Sequence, residues 1–178
     1  MTAPRALRAL LRSADDTHAL GRAVGGALEP GAVVALVGPL GAGKTTFVQG
    51  LAMGLGLPDS VPVQSPTFTI CNEYLARVPI LHADLYRLAN VDEAEDIGLL
   101  DRLRDGAGIG VVEWASRVPG VVPEDALWIR LEHDEHGRTV TLAEGDGGDV
   151  GWVRGIALPG SDAGDPWSET DGPMPWED

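Results

Sequence analysis

The chain has 178 residues, 44% of them hydrophobic, and 27 acidic residues against 13 basic ones give a formal net charge of −14. That length suits one domain with a sizeable core, whereas the charge argues against unassisted binding to a phosphate backbone, which rests on Lys and Arg releasing counterions. Cys71 is the lone cysteine, which excludes an internal disulfide and fits a reducing compartment.

Residues 1–12 carry Arg5, Arg8 and Arg12 but no apolar run of signal-peptide or membrane-spanning length, so a flexible leader on a cytoplasmic protein is expected. Ser13 followed by Asp16 resembles a capping signal, and Leu20, Ala23, Val24, Ala27 and Leu28 share one helical face, predicting a helix over about 14–28. "GAVVALVG" reads as a central parallel strand covered on both faces. A glycine-rich turn follows, then a helix from Lys44 to Leu55 stopped by Gly56 and Pro58. "VQSPTFTICNEYLA" predicts a loop fixed by Pro66 and then a strand, and "VPILHADLYRL" a strand ending near Asp84. Asn90 and "VDEAEDIGLLDRL" predict one capped helix with acids in its first turn. "GIGVVEWA" is a further buried strand, and the alternation on either side of "DEHG" predicts an antiparallel hairpin. From residue 143 onward nine acids stand against Arg154 alone, and this Gly- and Pro-containing tail, with Trp167 and Trp176, is expected to be largely disordered. The expected fold is an α/β, P-loop NTPase-like three-layer domain over residues 13–142, with a mostly parallel central sheet plus an antiparallel hairpin.

Gly38, four residues, then Gly43-Lys44-Thr45 satisfy G-x-x-x-x-G-K-[ST] between a strand and a helix, the context in which backbone N–H groups and a helix N-terminus converge on phosphate. Gly38, Leu40, Gly41, Ala42, Gly43, Lys44, Thr45 and Thr46 are the expected phosphate-binding set. Lys44 reaches the β- and γ-phosphates, and Thr45 supplies a hydroxyl to magnesium. Lys44 is the only lysine, beside twelve arginines. A broad planar guanidinium does not replace a compact point charge. With that lysine used, no Asn-Lys-x-Asp guanine-reading motif can exist, so ATP is favoured over GTP. Adenine recognition leaves no clear mark; Thr17 on the first helix is a weak candidate, against the reading of an ordinary helix residue.

A P-loop nucleotidase needs a carboxylate at the end of a neighbouring strand to hold magnesium. Asp84 and Glu113 both qualify and with Thr45 bracket one Mg2+; strand-end solvation is the alternative for each. Thr67, in the Ser65-Pro66-Thr67 loop, is placed to contact the γ-phosphate or the metal, with simple turn capping the equal alternative. Trp114 either lines the nucleotide site or packs in the core. His82 either orients a water or partner group or is a packed histidine.

"GPLGAGKTTFVQGLA", "SPTFTICNEY", "HADLYRL" and "VVEW", in this order and spacing, resemble the bacterial TsaE (YjeE) family of ATPases needed for threonylcarbamoyladenosine (t6A) modification of tRNA. The resemblance covers roughly residues 13–142. It implies a compact P-loop domain that binds ATP and Mg2+, hydrolyses ATP slowly alone, and works with TsaB and TsaD, which modify the adenosine beside the anticodon. It further implies that Thr45, Asp84 and Glu113 are the magnesium residues, that Lys44 holds phosphate, and that Thr67 sits in a switch-like loop. Pro39 and Ala115 depart from the family pattern, and Pro39 removes a backbone N–H at the start of the loop. The tRNA would be met through the partners, as the charge requires. The rival readings are a small-molecule kinase and a nucleotide-dependent binding module without essential hydrolysis.

Overall fold

A computed structural model describes residues 6–162 and 164–177. Eight strands form one mixed sheet in the order β3-β4-β5-β2-β6-β7-β1-β8. The strands are β1 (Leu7–Leu11), β2 (Val33–Val37), β3 (Cys71–Leu75), β4 (Pro79–Asp84), β5 (Ile109–Glu113), β6 (Leu127–Asp134), β7 (Gly137–Glu144) and β8 (Ser168–Glu169). Its centre, β4-β5-β2-β6, is parallel, and both flanks are antiparallel. The helices are α1 (Ala14–Ala27), α2 (Lys44–Gly54), α3 (Val91–Asp96) and α4 (Leu99–Arg104). This is the expected α/β three-layer architecture.

The period-2 alternation of the strands divides the core. Val34 and Leu36 of β2 face α1 and α2, against Leu20, Val24, Phe47 and Leu51. Val33, Ala35 and Val37 face the opposite layer, against Leu99 and Leu103 of α4. Because both faces are covered, β2 is buried at all five positions, the pattern of a continuous apolar run.

Two caps set helix starts. Ser13 accepts a hydrogen bond from Asp16 N at 3.2 Å, and Asn90 accepts one from Glu93 N at 3.0 Å. The single helix expected after Asn90 is broken into α3 and α4, because Gly98 takes a left-handed φ of 73° and starts a new helix.

α1 and α2 run parallel and touch backbone to backbone. A Cβ on Gly21 would lie 2.2 Å from Phe47 O, and one on Gly25 2.2 Å from Leu51 O. Reciprocally, a Cβ on Gly50 would lie 2.1 Å from His18 O, and one on Gly54 2.1 Å from Arg22 O. These four glycines let the helices pack in close contact, and because the helices are parallel both N-termini lie at the same end of the sheet.

Two further expectations need correction. Of the expected flexible leader, residues 1–5 lie outside the described residues, but Leu7–Leu11 form β1, antiparallel to β7, with Leu7, Ala9 and Leu11 buried. The tail expected to be disordered packs instead, apart from Ala163 and Asp178, which are not described. Val150, Val153, Ile156, Leu158 and Trp167 join the α1/α2 core, β8 pairs with β1, and Trp176 sits 6.0 Å from the Trp128 ring on the other face. Its sparse but regularly placed apolar residues outweigh its charge. Among the described residues no helix is long and apolar enough to cross a membrane.

Two substitutions separate helix propensity from the glycine seam. Ala in place of Gly gains about 1 kcal/mol of intrinsic helix propensity, yet Gly25→Ala must push the α1 and α2 backbones apart and is expected to cost about 1–3 kcal/mol net in urea unfolding. Gly26→Ala, whose Cβ would meet nothing nearer than 3.9 Å, should hold or raise stability. The tail has its own test. Trp167 is 4% exposed and donates its indole N–H to Ile156 O at 3.3 Å, so Trp167→Ala should cost about 3 kcal/mol and admit protease to residues 143–177 first.

Candidate functional site

The C-terminal ends of the parallel strands create the site. β5 lies between β2, which feeds the glycine loop, and β4. In this register Glu113 pairs with Asp84 on one side and Leu36 on the other, so both strand-end carboxylates stand beside the loop. Alternation places Asp84, His82 and Glu113 on the face that carries α2, as it does Ile80 and Val111.

The loop between β2 and α2 is shaped by backbone conformations that favour glycine. Gly38 has φ 147°, and a Cβ there would lie 2.2 Å from Leu131 O; Gly43 has φ 105° and caps α2. Lys44, at the first position of α2, is 7% exposed and folds back, donating to Gly38 O at 2.6 Å and Pro39 O at 2.9 Å. Its ammonium also lies 4.5 Å from the centroid of the Trp114 ring. Burial lowers the Lys44 pKa from its ordinary 10.5, while the charges of Glu113 and Asp84 pull it back up. Among the described residues no carboxylate comes within salt-bridge distance of this buried cation. A dianionic phosphate oxygen cluster is the partner such a group suits.

A cavity of about 330 Å³ opens over the loop, lined by Leu40, Gly41, Gly43, Lys44, Thr45, Thr46, Ser65, Thr67, Glu113 and Trp114. A second, of about 230 Å³, adjoins it across Gly41, Gly43 and Thr46, and reaches Ala42, Thr17, Arg12, Ser13 and Arg138. Most of the expected site residues therefore converge. Thr17 and Ala42 belong to the second cavity, and Gly38 lies beneath the loop with its carbonyl held by Lys44. Asp84 is 2% exposed and does not line either cavity; it is joined to the first through Ser65, whose hydroxyl donates to Oδ2 at 3.0 Å. Thr67 makes a longer contact to the same oxygen, 3.5 Å, and Tyr86 N donates to Oδ1 at 2.8 Å. Trp114 lines the cavity and also packs 4.9 Å from Tyr86, centroid to centroid.

The two non-glycine residues with positive φ among those described both adjoin these carboxylates. Trp114, at φ 56°, follows Glu113 directly; Ile70, at φ 66°, accepts at its carbonyl from Asp84 N at 2.8 Å. A β-branched residue in that region stores strain, which concentrates at functional sites.

Three contacts have no counterpart among the sequence-based expectations. Arg138 donates to Gly41 O at 3.1 Å, and His133 Nε2 lies 3.3 Å from Leu40 O, so the β6–β7 hairpin grips the outer side of the loop. Ser65 is the principal hydroxyl partner of Asp84. Only the tertiary approach of the hairpin reveals the first two; "SPT" three residues before a strand was the local signal for Ser65.

Residues fit for a metal are present as a half-site. Among the described residues no group of three or more His, Cys, Asp and Glu side chains could cage an ion. The Thr45 hydroxyl and the Asp84 and Glu113 carboxylates suit Mg2+, which takes one or two carboxylates and completes its shell with water and phosphate oxygens.

The chain is similar to known proteins of one family. The family model described as "Threonylcarbamoyl adenosine biosynthesis protein TsaE" matches residues 11–140. The chain is 44% identical over 138 residues to the tRNA threonylcarbamoyladenosine biosynthesis protein TsaE of Treponema pallidum, covering 77% of this chain and 100% of that protein. It is 43% identical over 131 residues to the TsaE protein of Bacillus subtilis, covering 71% and 80%. The crystal structure of Bacillus subtilis YdiB superposes with a TM-score of 0.62 at 31% identity, covering 82% of this chain and 89% of that one.

The buried ammonium has a consequence for stability. Because burial depresses the Lys44 pKa, the charged form is disfavoured in the fold; the penalty is fully present below the folded pKa and disappears as pH rises towards 10.5. At pH 7 without nucleotide, Lys44→Met should raise Tm by about 2–4 °C, as for a relief near 1 kcal/mol, and should abolish the added stabilisation by ATP. A calorimetric scan with and without nucleotide checks both.

Proposed function

The chain belongs to the TsaE family, and on that premise we propose that it is a magnesium-dependent ATPase serving t6A modification of tRNA with TsaB and TsaD in the cytoplasm. The observation that carries the enzymatic part is Lys44: a buried cation whose hydrogen bonds among the described residues go to two loop carbonyls, beside two carboxylates at adjacent strand ends. A purely structural site would have no reason to bury that charge without a counter-ion.

In this reading the first cavity takes the phosphates and the second the nucleoside. Loop N–H groups and the α2 N-terminus bind phosphate oxygens, and Lys44 exchanges its loop carbonyls for them. Thr17 and the aliphatic wall around Ala42 flank the base, while Arg12 and Arg138 lie at its rim. Thr45, Asp84 and Glu113 would hold magnesium, which would supply charge neutralisation for the phosphates. Ser65 and Thr67 fix the Asp84 carboxylate from the loop side, so that loop registers whether the site is filled. Glu113 faces the phosphate cavity from β5, where it orients the attacking water. The water oxygen bonds to the γ-phosphorus as the bridge to the β-phosphate breaks, releasing ADP and phosphate.

The net charge of −14 supports a reading in which the tRNA is met through the partners. Reconstitution tests the whole reading. TsaB, TsaD, tRNA and threonylcarbamoyl donor should give sustained modification only with this protein and ATP present. Lys44→Ala and Asp84→Asn should each lower ATP turnover about 100-fold or more and lower modification with it. Full modification by an Asp84→Asn protein that no longer hydrolyses ATP would overturn the enzymatic reading in favour of a binding module.

A further inference from the structure

His82 is wholly buried within β4, and its Nε2 lies 2.7 Å from Glu113 Oε2, itself only 2% exposed. Its other ring nitrogen, Nδ1, is buried without a hydrogen-bond partner among the described residues. Burying an imidazole against a carboxylate gains little stability over an apolar pair, and an unpartnered buried polar atom adds a penalty. The neighbours would accept such an apolar pair, since Ile80 and Val111 flank the two residues on the same face.

We infer that His82 is a positioning residue that fixes the carboxylate of Glu113 for work in the phosphate cavity. This rests on the reading of Glu113 as a participant in ATP hydrolysis. With its proton on Nε2, the ring donates to Oε2 and leaves a lone pair, rather than an unsatisfied N–H, at Nδ1. That tautomer occupies one carboxylate oxygen and leaves Oε1 for the cavity that Glu113 lines. The ring cannot easily turn away. It is enclosed between β3, where Asn72 is its register partner, and β5, where Val111 is, and the Tyr74 ring lies 6.2 Å away. The opposite flank of Glu113 is set by the left-handed backbone of Trp114, so the carboxylate is constrained both through its side chain and through the chain that follows. Asp84 has the equivalent support from Ser65, Thr67 and Tyr86 N. The two carboxylates thus have separate holders, one buried in the sheet and one in a loop.

Three variants of the full-length chain test the inference. His82→Leu removes the donor, His82→Gln returns an N–H near the Nε2 position, and Glu113→Ala tests the reading beneath. His82→Leu should lower kcat for ATP about 10- to 100-fold, the range for a lost second partner of a site ligand, with KM and calorimetric ADP affinity within about threefold of wild type. His82→Gln should recover at least half of that loss on a logarithmic scale. Independently of activity, nitrogen-15 NMR of the wild-type histidines should show His82 as the Nε2–H tautomer, with its ring proton resonance displaced or lost in Glu113→Ala. Wild-type kcat in His82→Leu, equal impairment of the Leu and Gln variants, or an Nδ1–H tautomer would overturn the inference while leaving the ATPase reading intact. Glu113→Ala turning over at the wild-type rate would overturn the reading of Glu113, and the inference with it. Should His82→Leu fail to fold, the NMR measurement and the Gln variant decide.

Discussion

The ammonium of Lys44 is buried at the mouth of the glycine loop, and its hydrogen bonds go to two carbonyls of that same loop. Carbonyl dipoles offset part of the desolvation of a cation, but they carry no net charge, and the nearest opposite charges are the carboxylates of Asp84 and Glu113, which act on it through space. The loop therefore holds its own occupant until something more negative arrives. Strand order, carboxylate placement and the αL turn at Trp114 all bring groups to the neighbourhood of that ammonium, which lines the open cavity above the loop.

Delivering the lysine there is the work of the backbone. The glycine seam lets α1 and α2 lie closer than side chains allow, and because the helices are parallel their N-termini point to the same place. The parallel register of β2, β5 and β4 then sets Glu113 and Asp84 side by side at the level of the loop. Neither arrangement would suffice alone. Helices aligned on a sheet of different order would face a strand end without carboxylates, and the same carboxylates without the aligned helices would have no counter-charge.

Much of this was legible from the chain. The phosphate loop, the two acidic strand ends and the three-layer class rest on local pattern and on periodicity, which operate within a few residues. The seam was written as Gly21/Gly25 and Gly50/Gly54, four apart in each helix, yet spacing does not say that the two pairs meet. The break at Gly98 was likewise visible as a glycine and misjudged, because an isolated glycine is tolerated within a helix unless the turn takes a positive φ. β1 alternated Leu7, Ala9 and Leu11, but arginines flanking and between them made a short strand resemble a solvated leader. The tail misled through composition. Charge count favours disorder, whereas a few well-placed apolar residues, Val153, Ile156 and Trp167 among them, are enough to dock a segment whose acids stay in solvent. The hairpin grip of Arg138 and His133 on the loop is a meeting of residues some ninety-seven and ninety-three positions apart, beyond any local signal.

A chain of net charge −14 that accepts a polyphosphate must reverse its field locally. Screening makes this possible, since beyond about 8 Å at physiological salt the exposed acids of the surface and tail count for little. What counts is the immediate shell: two converging helix N-termini and Lys44, with Arg12 and Arg138 at the rim of the adjoining cavity. Set against them, in the same shell, are the buried Asp84 and Glu113. On the proposed reading, two carboxylates so close to a polyphosphate would repel it unless positive charge stood between, and would therefore favour phosphate that arrives with a divalent cation. On that reading their cost to simple affinity would be the source of selectivity, because a site built from the loop and lysine alone would hold any phosphate, whereas this one would favour the metal-bound form. The holders of the carboxylates, His82 on one side and Ser65 on the other, therefore matter beside the loop itself: on that reading they keep both groups in the shell instead of letting them turn away from the phosphate.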